Sequence, residues 1–240
     1  MKIQYVGDIS DYRKYVLLRA FAQKGLKIGV CWIMTEPDGR SDGRFRSYLK
    51  QPDKWREYDP ELFDIMSAVP AEPTRTDLES LEASNFIPGT AFFNDATPNA
   101  LVDRNLWHGK TIEKFAASDL VFFDPDNGFE VSSRRKGRAG SNKFVFFDEV
   151  TDHYQSGRSV LVYQHFPRKA RSQFIHGLAE QLAEKMPGAS IWAFETAHVV
   201  FMLASRPEHH LIANNVEASF HQRCIPGLFR KSTLVKVEHA

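Results

Sequence analysis

The first strong pattern along the chain is helical. Apolar side chains recur at three- and four-residue spacing over residues 12–24, which is the periodicity of a helix with a buried face. Asp11 or Ser10 can serve as its N-cap, and Gly25 provides a stop. We therefore predict that the chain opens with a helix directly after the segment GDIS.

Short runs of consecutive apolar residues follow, and they are typical of strands covered on both faces. The runs LKIGVCWIM, DLVFF and SVLVY are the clearest. Two further runs, residues 190–194 and 199–204, are separated only by residues 195–198, which predicts an antiparallel pair. The predicted strands are 26–34, 90–94, 119–123, 159–163, 190–194 and 199–204, with a short extended piece at 143–147, and the predicted helices are 59–68, 74–85, 103–117 and 171–186.

This alternation predicts an α/β protein with a doubly wound, mostly parallel, Rossmann-like sheet and an antiparallel C-terminal strand pair. A single domain over residues 1–240 is the expectation for this length. Residues 36–60 are polar and rich in Arg and Lys, and they predict a long irregular basic insertion of the kind that forms a lid or a binding segment. Residues 132–142 predict a mobile basic loop.

Composition narrows the class of protein. The formal net charge is +1, from 31 basic and 30 acidic side chains, so binding to nucleic acid would need local basic patches. No apolar run approaches the ~20 residues that span a bilayer, and the first 18 residues carry no signal-peptide pattern. Cys31 and Cys224 predict buried thiols in a reducing compartment. We expect a cytoplasmic protein without a membrane partner, and no feature of the sequence predicts its oligomeric state.

Polar clusters follow three of the predicted parallel strands. Thr35-Glu36 comes after the first, Asp124-Pro125-Asp126-Asn127-Gly128 after the DLVFF run, and Gln164-His165 after SVLVY. Ligands bind beyond the carboxyl ends of strands in such sheets. We therefore predict a polar site along this edge, centred on residues 124–128, although the same residues also suit an ordinary turn.

Individual residues of these clusters allow different chemistry. His165 has a side chain whose pKa lies near neutrality, so it is a candidate general base or ligand, and a structural histidine is the alternative. Asp8, Asp11 and Lys14 lie just before and within the first helix. A cap explains only Asp11, and Lys14 follows it by one turn, so the two form either a simple ion pair or part of the site.

Carboxylates also suggest a metal site. Asp148-Glu149 follows another apolar run, and with Asp124, Asp126 and Glu130 it would supply the oxygen ligands that Mg²⁺ prefers. The alternative for Asp148 and Glu149 is a solvated helix start, where acids are favoured by the helix dipole.

The order of these segments resembles the RlmJ group of ribosomal RNA adenine N6-methyltransferases, which have a class I, Rossmann-like fold. That group has a G-N-x-x-D-x-x-K opening and an Asp-Pro-Pro-Tyr motif after the fourth strand. The matching positions are Gly7, Asp8, Asp11, Lys14 and residues 124–127. The chain is similar also to bacterial proteins with a G-D-x-x-D-x-x-K-Y opening, to which no activity is attached.

The resemblance implies an S-adenosylmethionine-dependent enzyme that acts on nucleic acid. It implies that Asp8, Asp11, Lys14, Thr35 and Glu36 hold the cofactor, and that the side chains of Asp124, Asp126 and Asn127, with His165, form the catalytic side of the site. The basic segments 40–56 and 134–138 would then bind RNA or DNA phosphates.

Two departures keep other functions open. Thr35-Glu36-Pro37-Asp38-Gly39 stands where the family has a glycine-rich cofactor loop, and Asp126-Asn127 replaces the second proline and the aromatic residue that stacks on a flipped adenine. A metal-dependent phosphoesterase or nuclease, with Mg²⁺ held by the carboxylates and water activated by His165, is one alternative. A non-catalytic protein that retains the methyltransferase fold is the other.

Overall fold

A seven-stranded mixed sheet runs through the computed structural model, which describes residues 1–36, 45–222 and 228–236. Five of its strands run in one direction and two in the other. A second, two-stranded sheet lies beside it. The strands of the large sheet are β1 (Ile28–Trp32), β2 (Ala91–Phe93), β3 (Leu120–Asp124), β6 (Ser159–His165), β7 (Ser190–Glu195), β8 (Val199–Ser205) and β9 (Lys231–Leu234), and those of the small sheet are β4 (Gly128–Phe129) and β5 (Phe144–Val145).

Helices cover both faces of the large sheet. The helices are α1 (Ile9–Gln23), α2 (Pro52–Trp55), α3 (Pro60–Ala68), α4 (Arg75–Ala83), α5 (Leu101–Lys114), α6 (Phe147–Gln155), α7 (Arg171–Lys185) and α8 (His210–Gln222). Successive side chains of a strand point to opposite faces, so β1 sends Val30 and Trp32 into a core with α1, α3, α4 and α8, and Cys31 into a second core with α5, α6 and α7. In the described ranges, the structure has no helix long and apolar enough to cross a membrane.

The sheet order is β2-β1-β3-β6-β8-β7-β9. Strands β2, β1, β3 and β6 are mutually parallel neighbours, and β7 and β8 form the predicted antiparallel pair. The predictions of an α/β fold, a mostly parallel sheet and an antiparallel pair are therefore confirmed. Strand β8 is the member of that pair that lies against β6. Strand β9 pairs with β7 and forms the edge of the sheet.

The predicted irregular insertion at 36–60 is wrong over residues 47–58. These residues form two 3₁₀ turns, Ser47–Lys50 and Arg56–Tyr58, on either side of α2. The cause is aromatic packing, since Tyr48 and Trp55 are buried and Tyr48 stacks on Tyr12 with ring centroids 5.2 Å apart. Residues 37–44, which include Arg40 and Arg44 of the basic segment, lie outside the described residues.

The C-terminal third also departs from the prediction. Helix α8 (His210–Gln222) was not predicted. Near the C-terminal end, β9 pairs with β7 from Lys231 to Leu234. Cys31 is a buried free thiol as predicted, and Cys224 lies outside the described residues.

A buried ion pair joins α5 to α6. Arg104 donates two hydrogen bonds to the carboxylate of Glu149, from Nε at 2.7 Å and from a terminal nitrogen at 2.8 Å, and both side chains are buried. Lys136 approaches the same carboxylate at 3.2 Å. Glu149 therefore neutralises the buried Arg104 guanidinium, so it does not lie in the solvated helix start that was the alternative prediction.

Replacing Glu149 by glutamine should lower the free energy of unfolding by about 3–5 kcal/mol, because it leaves the Arg104 guanidinium buried without its counter-charge. The neighbouring substitution Asp148→Asn removes an exposed carboxylate and should cost less than about 1 kcal/mol. Urea unfolding followed by circular dichroism measures both values. Equal costs for the two variants would contradict this account of the pair.

Candidate functional site

Three parallel strands end side by side beneath the start of α1. β3 lies between β1 and β6, and Trp32 at the end of β1 is in register with Asp124 at the end of β3. Since the carboxyl ends of parallel strands meet at one edge of a sheet, the polar residues after these strands come together. The predicted convergence of the Thr35, Asp124 and His165 segments at one edge is therefore confirmed.

A cavity of about 390 Å³ lies at this edge. Helix α1 forms one wall, and residues 124–127 form another. Of the residues singled out in the sequence, the cavity is lined by Asp8, Asp11, Lys14, Asp124, Asp126, Asn127 and His165. Thr35 is buried behind Asp126, and Glu36 is exposed and lies outside this lining.

Lys14 links the two halves of the site. Its Nζ lies 2.8 Å from Oδ1 of Asp11 and 2.7 Å from Oδ2 of Asp124, and it lies over the ring of Tyr163, 4.9 Å from the centroid. Burial alone would lower the pKa of Lys14, but the two carboxylates outweigh it and raise the pKa. Lys14 therefore remains an ammonium, and the ion pair with Asp11 extends across to β3.

Asp8, not Asp11 or Ser10, is the N-cap of α1. Its Oδ1 accepts hydrogen bonds from the backbone N–H groups of Ser10 and Asp11 at 2.7 and 3.1 Å, as a capping aspartate does. Asp11 lies one turn further on, buried, where its Oδ2 accepts from Gly7 N and Tyr15 OH. The predicted cap was wrong because burial and Lys14 hold Asp11 inside the helix interface.

The environment of Asp8 makes it a proton-binding group. Burial, together with the nearby charge of Asp11, raises its pKa from 3.8 to about 7, despite the opposing effect of Lys14. No described cation lies within ion-pair distance of Asp8. A cationic group placed beside Asp8 would favour its ionised form.

Asp126 is held on both oxygens. The α-amino group of Met1 lies 2.8 Å from Oδ1, and the Thr35 hydroxyl donates to Oδ2 at 2.6 Å. Burial would raise the pKa of Asp126, but the Met1 ammonium and the Thr35 hydroxyl outweigh it and lower the pKa. The same ammonium donates to the carbonyl oxygens of Ile33 and Asp124 at 2.7 and 3.1 Å. Asp126 thus fixes the edge of the cavity, and its carboxylate is already engaged.

The chain reverses sharply after Asp126. Asn127 N donates to the Lys143 carbonyl at 3.0 Å, and Gly128 has a φ of +97°. A β-carbon at Gly128 would lie 2.2 Å from Oε1 of Gln164, so only glycine fits. Gln164 in turn accepts from Phe129 N at 2.7 Å. Gln164 therefore anchors this reversal and leaves its neighbour His165 to face the cavity.

Asn127 and His165 are exposed and lie between two cavities. Both residues also line a larger cavity of about 950 Å³ between the small sheet and α7. The protein around the His165 imidazole lowers its pKa by desolvation, although Asp124 opposes the effect. His165 is therefore neutral at neutral pH and able to accept a proton.

The acids proposed as additional metal ligands lie elsewhere. Asp148 pairs with Lys136 at 2.8 Å, Glu149 pairs with Arg104, and Glu130 accepts from Phe147 N at 2.9 Å. Within residues 1–36, 45–222 and 228–236, no group of three or more His, Cys, Asp or Glu side chains is placed to hold a metal ion.

Sequence reasoning missed several residues of the cavity, of which Tyr163 and Met1 are the most closely involved. Tyr163 precedes Gln164-His165 on β6, and strand alternation could have placed its ring on the same side as Lys14. No local sequence pattern points to Met1, because its contacts join positions more than thirty residues apart. Lys2, Tyr5, Ser10, Phe45, Pro125 and Lys143 complete the lining.

Fold and site together define an α/β protein with a charged cavity at the carboxyl ends of three parallel strands. No family model and no curated protein matches the chain. Among solved structures, the chain is similar to the Legionella pneumophila protein LPL1258, described under the family model DUF519, at 11% identity and a TM-score of 0.43, over 97% of this chain and 95% of that one.

The raised pKa of Asp8 gives a pH-dependent stability. Between pH 3.8 and about 7, the folded protein keeps a proton on Asp8 that the unfolded chain releases, so Asp8 makes the free energy of unfolding fall as pH rises through this window. Asp8→Asn preserves the cap, since asparagine accepts the same amide hydrogen bonds. The variant should lose this part of the pH dependence and be more stable than the parent above pH 7.

Urea titrations of both proteins from pH 4 to pH 8 measure the effect. Parallel stability curves for the parent and Asp8→Asn would show that Asp8 titrates normally and would contradict the prediction.

Proposed function

We propose that this chain is an S-adenosylmethionine-dependent, methyltransferase-like protein that acts on nucleic acid. The observation that carries the proposal is the contact between the two motifs that resemble those of the methyltransferase group. Lys14 of the opening motif bonds to Asp124 of the segment after β3 at 2.7 Å, although 110 positions separate them. Motifs that carry a function in common are expected to meet in one site.

The architecture supports the same proposal. A sheet of parallel strands closed by an antiparallel C-terminal pair, with helices on both faces, is the arrangement expected of a Rossmann-like, class I methyltransferase. The cavity lies beyond the strand ends, where ligands bind in such sheets. Its volume of about 390 Å³ falls in the usual range for small-molecule sites, roughly 300–1,000 Å³.

The chemistry of the cavity fits the cofactor. S-Adenosylmethionine bears an ammonium and a sulfonium, and Asp8 is a buried carboxyl with no ion pair among the described residues. A cation beside Asp8 would stabilise its ionised form. Lys143 offers a positive charge for the cofactor carboxylate, and Tyr163 offers an aromatic face. When bound, the cofactor supplies an activated methyl group.

The acceptor would approach from the second cavity, which shares Asn127 and His165 with the first. Phe129 and Phe147, stacked 4.8 Å apart, and the half-buried Phe166 give it aromatic walls, and nucleobases stack on such side chains. The Asn127 amide oxygen can accept a hydrogen bond from an exocyclic amine. Neutral His165 can accept a proton from it.

Both alternatives are less well supported by these contacts. A metal-dependent phosphoesterase needs several unengaged carboxylates, whereas Asp124 is paired with Lys14 and Asp126 with Met1 and Thr35. A non-catalytic protein needs no cavity lined by Asp8, Asp124 and His165, which this chain has. We therefore retain the methyltransferase-like function as the proposal.

Calorimetric titration with S-adenosylmethionine tests the cofactor part. We expect micromolar binding that strengthens between pH 6 and pH 8, because Asp8, with a pKa of about 7, ionises over this range. Asp8→Asn should weaken binding about ten- to hundredfold and abolish its pH dependence, since a charge-assisted contact contributes about 1.5–3 kcal/mol. Lys24→Gln, an exposed position at the far end of α1, is the control. Absence of binding to the folded parent protein would refute the proposal.

Methyl transfer to total RNA and genomic DNA tests the acceptor part. Asn127→Ala should keep the affinity for S-adenosylmethionine and lower the transfer rate by about tenfold or more, because it removes a contact made to the acceptor. Asn215→Ala, an exposed asparagine on α8, should leave both quantities unchanged. An Asn127→Ala protein with full transfer activity would remove Asn127 from the site.

A further inference from the structure

The outer face of α5 carries a group of exposed apolar side chains. Leu101, Val102 and Leu106 are 49%, 71% and 64% exposed. Among the residues that the structure describes, they are three of the seven large hydrophobic side chains that are exposed, and all three lie in the first two turns of α5. Single exposed apolar residues are common on protein surfaces, whereas a contiguous group marks a contact surface. The outer face of α5 is therefore a candidate interface.

The inner face of α5 fixes the orientation of this surface. Arg104 is buried in its ion pair with α6, and Trp107 is buried, with its indole N–H donating to the Asp95 carbonyl at 3.3 Å. Since successive residues of a helix are about 100° apart around its axis, Val102 and Leu106 point away from both anchors. The apolar surface is thus presented on a helix that is held firmly against the protein.

Gly109 lies on the same outer face, one turn after Leu106. It is exposed, and a β-carbon there would have no neighbour within 4 Å beyond the backbone of its own helix, so the packing of this chain does not require glycine. A glycine inside a helix costs about 0.5–1 kcal/mol relative to alanine, but it allows another chain to approach closely. A groove of about 550 Å³ opens beside Leu106 and Gly109, and its walls include Ala96 and Pro98. The outer face therefore has both a protruding leucine and a space that a side chain can enter.

The charges along this face have a definite order. Asp103 and Lys110 are exposed and lie two turns apart on the same flank of α5, with Asp103 nearer the N-terminal end. Lys110 Nζ is also 3.8 Å from Oδ2 of Asp95, but both side chains are more than half exposed, so the ammonium stays accessible. An antiparallel copy of α5 reverses the order of acid and base. A two-fold axis beside Leu106 would therefore place Asp103 of each copy next to Lys110 of the other.

We propose that two copies of this chain associate through the outer face of α5, in antiparallel orientation about a two-fold axis. A two-fold interface must be complementary to itself, because both copies use the same patch. The order of acid, leucine and base along α5 meets this requirement, since Leu106 would lie at the centre and the Asp103–Lys110 pairs at the rim. An apolar centre with a charged rim is the usual anatomy of a protein interface. The inference is independent of the proposed function, because residues of α5 line neither of the two cavities described above.

Charge reversal tests the pairing. We expect the parent protein to dimerise at micromolar concentrations. Asp103→Lys and Lys110→Asp each place like charges next to one another at both ends of the interface, and each should raise the dimer dissociation constant about tenfold or more. In a mixture of the two variants every acid again lies next to a base, so the mixed dimer should form where neither variant dimerises alone. Analytical ultracentrifugation of the parent protein, of each variant and of the equimolar mixture measures these dissociation constants.

Asp53→Lys on α2 and Lys24→Asp just after α1 are the matched controls. They make the same charge changes at exposed positions, on helices that cover the other face of the sheet, and both should dimerise as the parent protein does. Gly109→Gln tests the apolar part of the interface. Its longer side chain should prevent the close approach and weaken dimerisation, although glutamine is the better helix former. Circular dichroism and the melting temperature show whether each variant is folded.

A parent protein that stays monomeric up to millimolar concentration would overturn the proposal. A parent dimer that neither charge reversal weakens would overturn it as well, because the two copies would then meet through another surface. If both reversals weaken the dimer but their mixture associates no more tightly than either variant alone, the antiparallel pairing of Asp103 with Lys110 is wrong. Restored association in the mixture, with normal dimerisation of the two controls, would support the two-fold interface.

Discussion

The buried ammonium of Lys14 is the interaction on which the site depends. It joins Asp11 on α1 to Asp124 at the end of β3, and so fixes the helix over the sheet edge at the position where the cavity forms. Removal of one member of such a buried group leaves uncompensated charge, which costs about 3–5 kcal/mol. The geometry of the cavity and the stability of the fold are therefore coupled through one side chain.

The remaining acids of the cavity then divide into engaged and available groups. Asp11, Asp124 and Asp126 each have a cationic partner, whereas Asp8, among the residues that the structure describes, accepts hydrogen bonds only from backbone N–H groups and has a raised pKa. A cationic ligand would supply a counter-charge to the ionised form of Asp8. Asn127 and His165 lie on the opposite side, shared with the larger cavity. In the proposed function, this division separates a cofactor side from an acceptor side.

Much of the fold follows from local patterns. The apolar runs predicted β1, β3 and β6 and the β7–β8 pair, because strands buried on both faces need continuous apolar side chains. Residues 47–58 were predicted as irregular, since their polar surface hides the burial of Tyr48 and Trp55 against Tyr12. The partner of Glu149 was equally hidden, because Arg104 is 45 positions away.

The sequence by itself determined the α/β class, the strands and the residues that cluster at their carboxyl ends, because hydrophobic periodicity and strand order are local properties of the chain. Only the tertiary structure decided which acids are engaged. Asp8 is the N-cap of α1 and has a raised pKa, whereas the carboxylate of Asp126 is bound to the Thr35 hydroxyl and the Met1 ammonium. The pKa and the availability of a carboxyl depend on burial and on charges brought close by folding, and residue spacing does not encode either.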